Sequence, residues 1–249
     1  MQSKARAALR IAADLIWPPV SPLSGDAVDR PGALTGADFA KLHFIAPPLC
    51  ARCGVPFDYP AYEGMACAPC SARPPVWEIA RSALVYDAAS RALPLALKHA
   101  GRTDMVAAYG RWMARAGADA LAGADLLIPV PLHASRLRRR RFNQSLLLAR
   151  AVARESGVAV DPHVLLRTRR TGTQGGLTAK SRTRNVAGAF TVPAAARARV
   201  AGARLVIVDD VHTTGATLSA CVRTLKRAGA AHVNALTLAR VVKPVSLLK

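Results

Sequence analysis

The sequence predicts an α/β protein, in which a small module with four cysteines is followed by a mostly parallel sheet covered by helices. From Trp77 onward, short apolar runs of strand length alternate with amphipathic runs of helical length, as expected for parallel strands joined through helices. Ahead of them, residues 47–75 combine four cysteines with seven prolines, a composition that excludes long regular elements. The 51% of hydrophobic residues is enough for a packed core.

The first 45 residues are heterogeneous. Ala5 to Ile16 predicts a short amphipathic helix ended by Pro18 and Pro19, and Val20 to Gly36 has the composition of a loop. Pro74-Pro75 is typical of a linker. We therefore expect three parts, namely an N-terminal segment (1–45), a cysteine module (46–75) and an α/β domain (76–243).

The α/β domain is predicted to alternate strands and helices, without an evident internal repeat. In chain order we expect a strand at Ala83–Tyr86, helices at Ser90–His99 and Thr103–Leu121, a strand at Leu126–Val130, a helix at Asn143–Glu155, a strand at Leu205–Val208, a helix at Thr217–Ala228 and a strand at Val233–Leu238. Thr103 is the expected cap of its helix.

The cysteines predict a structural metal site. Cys50-x-x-Cys53 and Cys67-x-x-Cys70 are separated by 13 residues, and two such knuckles complete a closed tetrahedral zinc site. Cys221 is expected to be buried and inert. Because the sequence shows neither a convincing signal peptide nor an apolar run long enough to span a bilayer, we expect a cytoplasmic protein without membrane insertion.

The formal net charge of +20 favours a polyanionic partner or a phosphorylated substrate, because like charges on a globular protein repel one another. Arginine-rich composition explains the choice of Arg over Lys. It does not explain the shortage of Asp and Glu.

The run from Arg204 to Thr217 predicts a sugar-phosphate site. An apolar strand ends in Asp209 and Asp210, and a hydroxyl-rich turn then leads into a helix, whose free N–H groups suit a phosphate. Carboxylates would repel that phosphate, so their place is explained if they hold sugar hydroxyls or a bridging metal ion.

Two further segments predict contacts with phosphate. Residues 129–145 place a Pro-rich turn after a strand and then five arginines within six residues, which suits pyrophosphate. Residues 174–190 are polar, basic and glycine-bearing, as expected of a lid over the site. The candidates in these segments are Pro131, Leu132, His133, Arg140, Arg141, Lys180 and Arg182. For His133 an incidental place in the loop stays open.

The run around Asp209 resembles the 5-phosphoribosyl-1-pyrophosphate (PRPP) motif of type I phosphoribosyltransferases. The resemblance implies that fold, with Asp209 and Asp210 as catalytic residues on the ribose hydroxyls and Mg²⁺ bound with PRPP. It implies that the remaining PRPP-binding residues are Val211, His212, Thr213, Thr214, Gly215, Ala216 and Thr217. The side chain of His212 is expected to point outward.

Four blocks in order resemble the ComF family of competence-associated proteins: Pro-Val-Pro-Leu-His, Arg-Phe-Asn-Gln, Gln-Gly-Gly-Leu-Thr followed by Asn-Val, and the PRPP motif. The family usually has Gly where this chain has Arg141, and a Gly there suggests a positive φ. Lys98 resembles a lysine that the family places after its first helix.

Many family members carry a first zinc ribbon upstream. Its cysteines are replaced in this chain by Ser21, Ser24, Thr35 and Asp38, so the resemblance implies one structural zinc ion rather than two. It also implies phosphoribosyl transfer to a nitrogenous acceptor, a glycosyltransferase reaction, in connection with DNA uptake and natural competence. The alternative is a non-catalytic accessory that binds single-stranded DNA beside a competence helicase.

Overall fold

The computed structural model describes residues 18–100, 102–169 and 179–242. Its centre is a five-stranded sheet in which every neighbouring pair is parallel. The strands lie in the order β1-β7-β6-β2-β3, and β4 and β5 form a separate antiparallel pair. The strands are β1 (Ala80–Val85), β2 (Leu126–Pro129), β3 (Ala159–Val160), β4 (Leu166–Arg167), β5 (Phe190–Thr191), β6 (Arg204–His212) and β7 (His232–Arg240).

Helices connect these strands and cover both faces of the sheet. They are α1 (Gly36–Ala40), α2 (Ala68–Ala72), α3 (Ala92–Leu95), α4 (Val106–Ala116), α5 (Ala118–Leu121), α6 (Ala134–Arg140), α7 (Gln144–Ser156), α8 (Ala179–Val186), α9 (Arg197–Val200) and α10 (Ala216–Arg227). A π-helical turn, Ala96–Ala100, continues α3, and a 3₁₀ turn, Ala194–Ala196, precedes α9.

Alternate residues of the central strands enter two apolar clusters, one on each face. Val206 and Val208 of β6 belong to the cluster that includes Met113 of α4 and Leu148 of α7. Leu205, Ile207 and neighbouring β7 residues belong to the cluster under α10. The helix-covered parallel sheet predicted from the sequence is therefore confirmed.

Some element boundaries differ from the predictions. The expected single helix Thr103–Leu121 is two helices separated at Gly117, where an added Cβ would lie 2.5 Å from Leu236 Cδ1. The prediction of a Thr103 cap is wrong, because α4 begins after Met105 and has no side-chain cap. Strands β6 and β7 are longer than expected, because they pair in register as far as His212 and Arg240.

Two predictions lie wholly or partly outside the described residues: the helix Ala5–Ile16, and the first five residues of the lid, 174–178. Among the described residues, Cys221 is buried as expected. Within the same part of the chain, no helix combines the length and the apolar character needed to cross a bilayer.

Candidate functional site

The candidate site lies at the point in the sheet where successive strands are added on opposite sides, which is between β2 and β6. From β2 the chain moves outward to β3, whereas β6 and β7 lie on the other side of β2. Pro129 at the end of β2 is in register with Val208 of β6, so the loops that follow both strands meet at one edge. In open parallel sheets, ligands bind in the crevice at this point.

Asp209 and Asp210 are the last acidic residues of β6 before this edge. Ser145 Oγ of α7 donates a hydrogen bond of 2.9 Å to Asp209 Oδ1. Lys98 Nζ, on the π-helical turn, lies 2.6 Å from Asp210 Oδ2. The Val211 N–H donates to Asp210 Oδ1 at 2.9 Å. Three segments far apart in the chain therefore converge on two adjacent carboxyl groups.

The two carboxyl groups share a nearby cation, Lys98, which is paired with Asp210. The pKa values of Asp209 and Lys98 are both shifted. Burial, together with the neighbouring charge of Asp210, raises the pKa of Asp209 from 3.8 to about 7. Burial is the largest single influence on Lys98 and lowers its pKa, but the charge and hydrogen bond of Asp210 and the charge of Asp209 together raise that pKa above its ordinary value. The site therefore contains a carboxyl group, Asp209, whose ionised form is disfavoured by burial and by the charge of Asp210 in spite of the Ser145 hydrogen bond.

The turn after the acidic pair is exposed and leads directly into α10. Thr213 and Thr214 are exposed, and Gly215 precedes the helix with φ at +73°. A Cβ at Gly215 would lie 2.8 Å from the Trp77 ring and 3.0 Å from His212 Nε2, so only glycine fits there. The turn thus presents a helix N-terminus, which attracts anions.

The expectation that His212 points outward is wrong. Its side chain is buried and packs edge-on against Trp77, with 5.4 Å between the ring centroids. Burial, with the nearby charge of Arg240, lowers the pKa of His212 to about 3, so the ring is neutral. His212 and Trp77 therefore support the turn from below, and no sequence signal pointed to Trp77.

The loop after β2 is tied to the same edge. The Val130 N–H donates to the Val208 carbonyl at 2.9 Å, and Asn143 Nδ2 donates to the Val130 carbonyl at 3.1 Å. The Asn143 side chain also caps α7, the helix that carries Ser145. The Arg-Phe-Asn-Gln block therefore connects the β2 loop to the acidic pair.

The basic run after this loop forms the short helix α6, which sequence reasoning missed. His133 is its N-cap, and its Nδ1 accepts the Ser135 N–H at 3.2 Å. Arg140 donates to Gln144 Oε1 at 3.3 Å. Pro131 is buried and Leu132 is half-buried. Of the pyrophosphate candidates in this segment, His133 thus has a structural role as a helix cap.

Arg141 ends α6 in the left-handed conformation, with φ at +63°. It is the only non-glycine residue with a positive φ in the described part of the chain. The position therefore has the backbone that favours glycine, as the comparison with the ComF pattern indicated. Lys180 and Arg182 belong to α8, but their side chains lie outside the described residues.

The predicted cysteine cluster is present at some distance along the chain from this cleft. The sulfur atoms of Cys50, Cys53, Cys67 and Cys70 all lie within 4.8 Å of one another, and all four residues are buried. Cys53 Sγ and Cys67 Sγ are 3.7 Å apart, which fits a tetrahedron of Zn–S bonds of about 2.3 Å. Arg81 donates to the Cys50 carbonyl and Arg240 to the Cys53 carbonyl, which attaches the cluster to β1 and β7.

The fold and the cleft define a phosphoribosyltransferase-type domain behind a zinc-ribbon module. Family models agree with this class: residues 143–245 match the phosphoribosyl transferase domain, and residues 12–71 match the double zinc ribbon domain. The chain belongs to the ComF family, which includes proteins named DNA utilization protein YhgH and Competence protein F.

Three relatives and one solved structure illustrate the match. YhgH of Salmonella typhi is 37% identical over 77% of this chain and 84% of that protein. YhgH of Escherichia coli K12 is 36% identical over the same shares. Competence protein F of Haemophilus influenzae is 35% identical over 47% of this chain and 50% of its own length. The glutamine PRPP amidotransferase of B. subtilis, of which this chain covers 25%, matches 52% of this chain at 23% identity and a TM-score of 0.36.

Proposed function

We propose that this protein binds PRPP together with Mg²⁺ and transfers the phosphoribosyl group to a nitrogenous acceptor. The observation that carries the proposal is the acidic pair Asp209–Asp210 beside the exposed turn Thr213–Thr214 that leads into α10. Phosphate at the helix N-terminus is favoured by the free N–H groups of the turn. The hydroxyls of an attached ribose would then supply donors to the two carboxylates.

The state of the acidic pair supports a ligand rich in donors. The Ser145 hydroxyl donates to one oxygen of Asp209, and Lys98 is paired with Asp210. A ligand that brings two hydroxyls, or a metal ion, would satisfy the remaining lone pairs. Mg²⁺, which prefers oxygen ligands, would supply positive charge to the phosphate groups that it joins to this edge.

The β2 loop and α6 lie on the side where the pyrophosphate would leave. Arg138, Arg139 and Arg141 are exposed there. One guanidinium group can donate two parallel hydrogen bonds to two oxygens of a phosphate. Catalysis in this arrangement would consist of positioning the ribose and stabilising charge, since the developing oxocarbenium ion is positive and the leaving group negative.

Isothermal titration of the full chain with PRPP and Mg²⁺ tests the proposal. We expect binding in the native protein and its loss in the double variant Asp209→Asn, Asp210→Asn. The exposed Glu155→Gln on α7 is the matched control, because it removes the same kind of charge far from the turn. Equal binding by the native protein and the double variant would refute the site. A screen of nitrogenous acceptors for PRPP-dependent pyrophosphate release then tests transfer.

A second function is favoured by the exposed arginines of α6 and by the names of the relatives, which connect them with DNA utilization. In this alternative the chain binds single-stranded DNA as an accessory of DNA uptake. Affinity for single-stranded DNA that falls steeply with salt and is unchanged in the double variant Asp209→Asn, Asp210→Asn would support it. Two carboxylates beside a phosphate-binding turn argue against a role in DNA binding alone.

We propose in addition that the four-cysteine cluster holds a structural zinc ion. Its four thiolate ligands leave no open position for substrate, so the ion would stabilise the module rather than take part in transfer.

A further inference from the structure

Four residues of the N-terminal segment surround the buried side chain of Asp38. Ser21 Oγ and Ser24 Oγ donate to the same oxygen, Asp38 Oδ2, at 2.5 and 2.6 Å. Lys41 Nζ donates to the other oxygen, Oδ1, at 3.1 Å. Thr35 Oγ1 accepts the Asp38 N–H at 3.1 Å and so caps α1. The Asp38 side chain is 1% exposed.

The backbone around this point repeats the backbone around the cysteine cluster. Ser21 and Cys50 each donate an N–H to the carbonyl five residues later, at 2.8 Å in both cases. Each also accepts the N–H of a glycine four residues later, at 2.9 Å in both cases. These glycines, Gly25 and Gly54, both have positive φ, +83° and +67°. The first knuckle therefore has the geometry of a cysteine knuckle, with serines at the ligand positions.

The second half of each module matches as well. Thr35 and Cys67 are the N-caps of five-residue helices, with φ and ψ of −65° and 157° at Thr35 and −68° and 156° at Cys67. Asp38 and Cys70 each follow three residues later. We call residues 18–41 the first ribbon and residues 47–73 the second ribbon. The two are structural repeats, although their sequences show no evident repeat.

The donor set of the first ribbon does not fit zinc. Zinc in structural sites is bound by four thiolate or imidazole ligands. Ser21, Ser24 and Thr35 carry neutral hydroxyl groups, and Asp38 is the one anionic member of the set. Both serine hydroxyls are directed at a single carboxylate oxygen, so the centre of the module is filled by hydrogen bonds.

We infer that the first ribbon has exchanged its zinc ion for the Asp38 carboxylate, folds without metal, and leaves the second ribbon as the single zinc-dependent module of the chain. The carboxylate replaces the metal ion as the group that joins the two halves of the module, because Asp38 in the second half accepts hydrogen bonds from Ser21 and Ser24 in the first. Hydrogen bonds from Ser21 and Ser24 keep the pKa of Asp38 well below its ordinary value, so the group is ionised at neutral pH.

Because of this exchange, the packing of the first ribbon against the α/β domain does not depend on zinc. Arg102 donates to the Val20 carbonyl at 3.1 Å, which attaches the first ribbon next to the turn that carries Lys98. The second ribbon is attached to β1 and β7 instead, through Arg81 and Arg240. Loss of zinc would therefore release the second ribbon while the first ribbon stays folded beside the Lys98 segment.

Zinc analysis of two full-length proteins tests the exchange. The native chain is expected to contain one zinc per chain. The quadruple variant Ser21→Cys, Ser24→Cys, Thr35→Cys, Asp38→Cys restores four thiols on the same backbone and is expected to contain two. Two equivalents in the native chain would overturn the inference, and so would a folded quadruple variant that contains one.

Hydrogen exchange of the native chain provides a second test that does not depend on how any variant folds. After a zinc chelator is added, we expect amides of the second ribbon to lose protection and those of the first ribbon to keep it. Loss of protection in both ribbons together would contradict metal-free folding of the first. The matched variant Asp38→Asn should show the reverse pattern at unchanged zinc content, with loss of protection confined to the first ribbon.

Discussion

The Asp38 carboxyl group of the first ribbon and the carboxyl groups of the candidate cleft have different hydrogen-bond donors. Asp38 receives two serine hydroxyls and a lysine at distances of 2.5 to 3.1 Å. Asp209 receives one serine hydroxyl and has Asp210, a second acid, beside it. The same physical quantity, the pKa, moves down at Asp38 and up at Asp209.

We infer that the difference separates a carboxylate that stabilises the fold from a pair that the proposed ligand would complete. A buried charge that is fully hydrogen-bonded stabilises the segment that supplies its donors. A buried pair of like charges lowers stability and is retained where function requires it. Variants that change one of the two places at a time distinguish these roles.

The largest effect is expected from Asp38→Asn. The amide keeps the shape of the side chain but directs its NH₂ group at hydroxyl or ammonium donors. We expect the free energy of unfolding to fall by about 2–4 kcal/mol, since hydrogen bonds to a buried charge are lost. Urea denaturation measures this, with the exposed Asp26→Asn as control. A loss as small as that of the control would contradict a structural role for Asp38.

The pH dependence of stability should have opposite signs at the two places. The folded pKa of Asp209 is raised to about 7 from 3.8. Its favourable contribution to the free energy of unfolding is therefore fully present below pH 3.8 and is lost as pH rises through about 7. The folded pKa of Asp38 is lowered, so its contribution is present above 3.8 and is lost as pH falls through the lower folded value.

Urea midpoints measured against pH check these signs. The stability of the native protein relative to Asp209→Asn should decline between about pH 4 and pH 7, the range between the unfolded and folded pKa of Asp209. Its stability relative to Asp38→Asn should decline only in the acid range. The same slope for both variants would remove the distinction between the two places.

Removing one hydroxyl from each place gives a smaller effect of the same kind. Ser24→Ala should lower the free energy of unfolding by about 1–2 kcal/mol and leave PRPP affinity unchanged. Ser145→Ala should change stability little and weaken PRPP binding by about tenfold, because it removes the donor that orients Asp209. Urea denaturation and calorimetric titration of both variants test this. A loss of PRPP affinity in Ser24→Ala, together with a loss of stability in Ser145→Ala, would contradict it.

The smallest effect is expected from Arg141→Gly. Glycine relieves the left-handed backbone at φ +63° but makes the unfolded chain more flexible, so the net gain in stability should be about 1 kcal/mol or less. The neighbouring Arg139→Gly, at an interior position of α6, is the control and should be destabilising. A destabilised Arg141→Gly would show that the side chain, rather than the backbone, decides this position.

The sequence predicted those features that are local in the chain. The apolar strand, the acidic pair and the Gly-bearing turn are consecutive, so the pattern from Leu205 to Thr217 predicted their arrangement correctly. The four cysteines were predicted with the correct partners, because knuckle spacing is also local.

The contacts that set the electrostatics of the cleft could not be predicted in this way. Ser145 and Asp209 are 64 residues apart, and Lys98 reaches Asp210 from a π-helical turn that no pattern indicated. His212 was misjudged because its burial depends on Trp77, which lies ahead of β1. The family resemblance predicted the equivalence of the two ribbons, but it did not predict the hydrogen bonds from the Ser21 and Ser24 hydroxyls to Asp38.

The stability of the variant Asp209→Asn, which keeps the ion pair of Asp210 and Lys98, tests the central claim most directly when it is measured with and without Mg²⁺ and PRPP. Without ligand, we expect the variant to be at least as stable as the native protein. With ligand at 100 times its dissociation constant, the native protein should gain about 2.7 kcal/mol and the variant almost nothing. A variant that is as destabilised as Asp38→Asn, or one that PRPP stabilises as strongly as the native protein, would contradict the account.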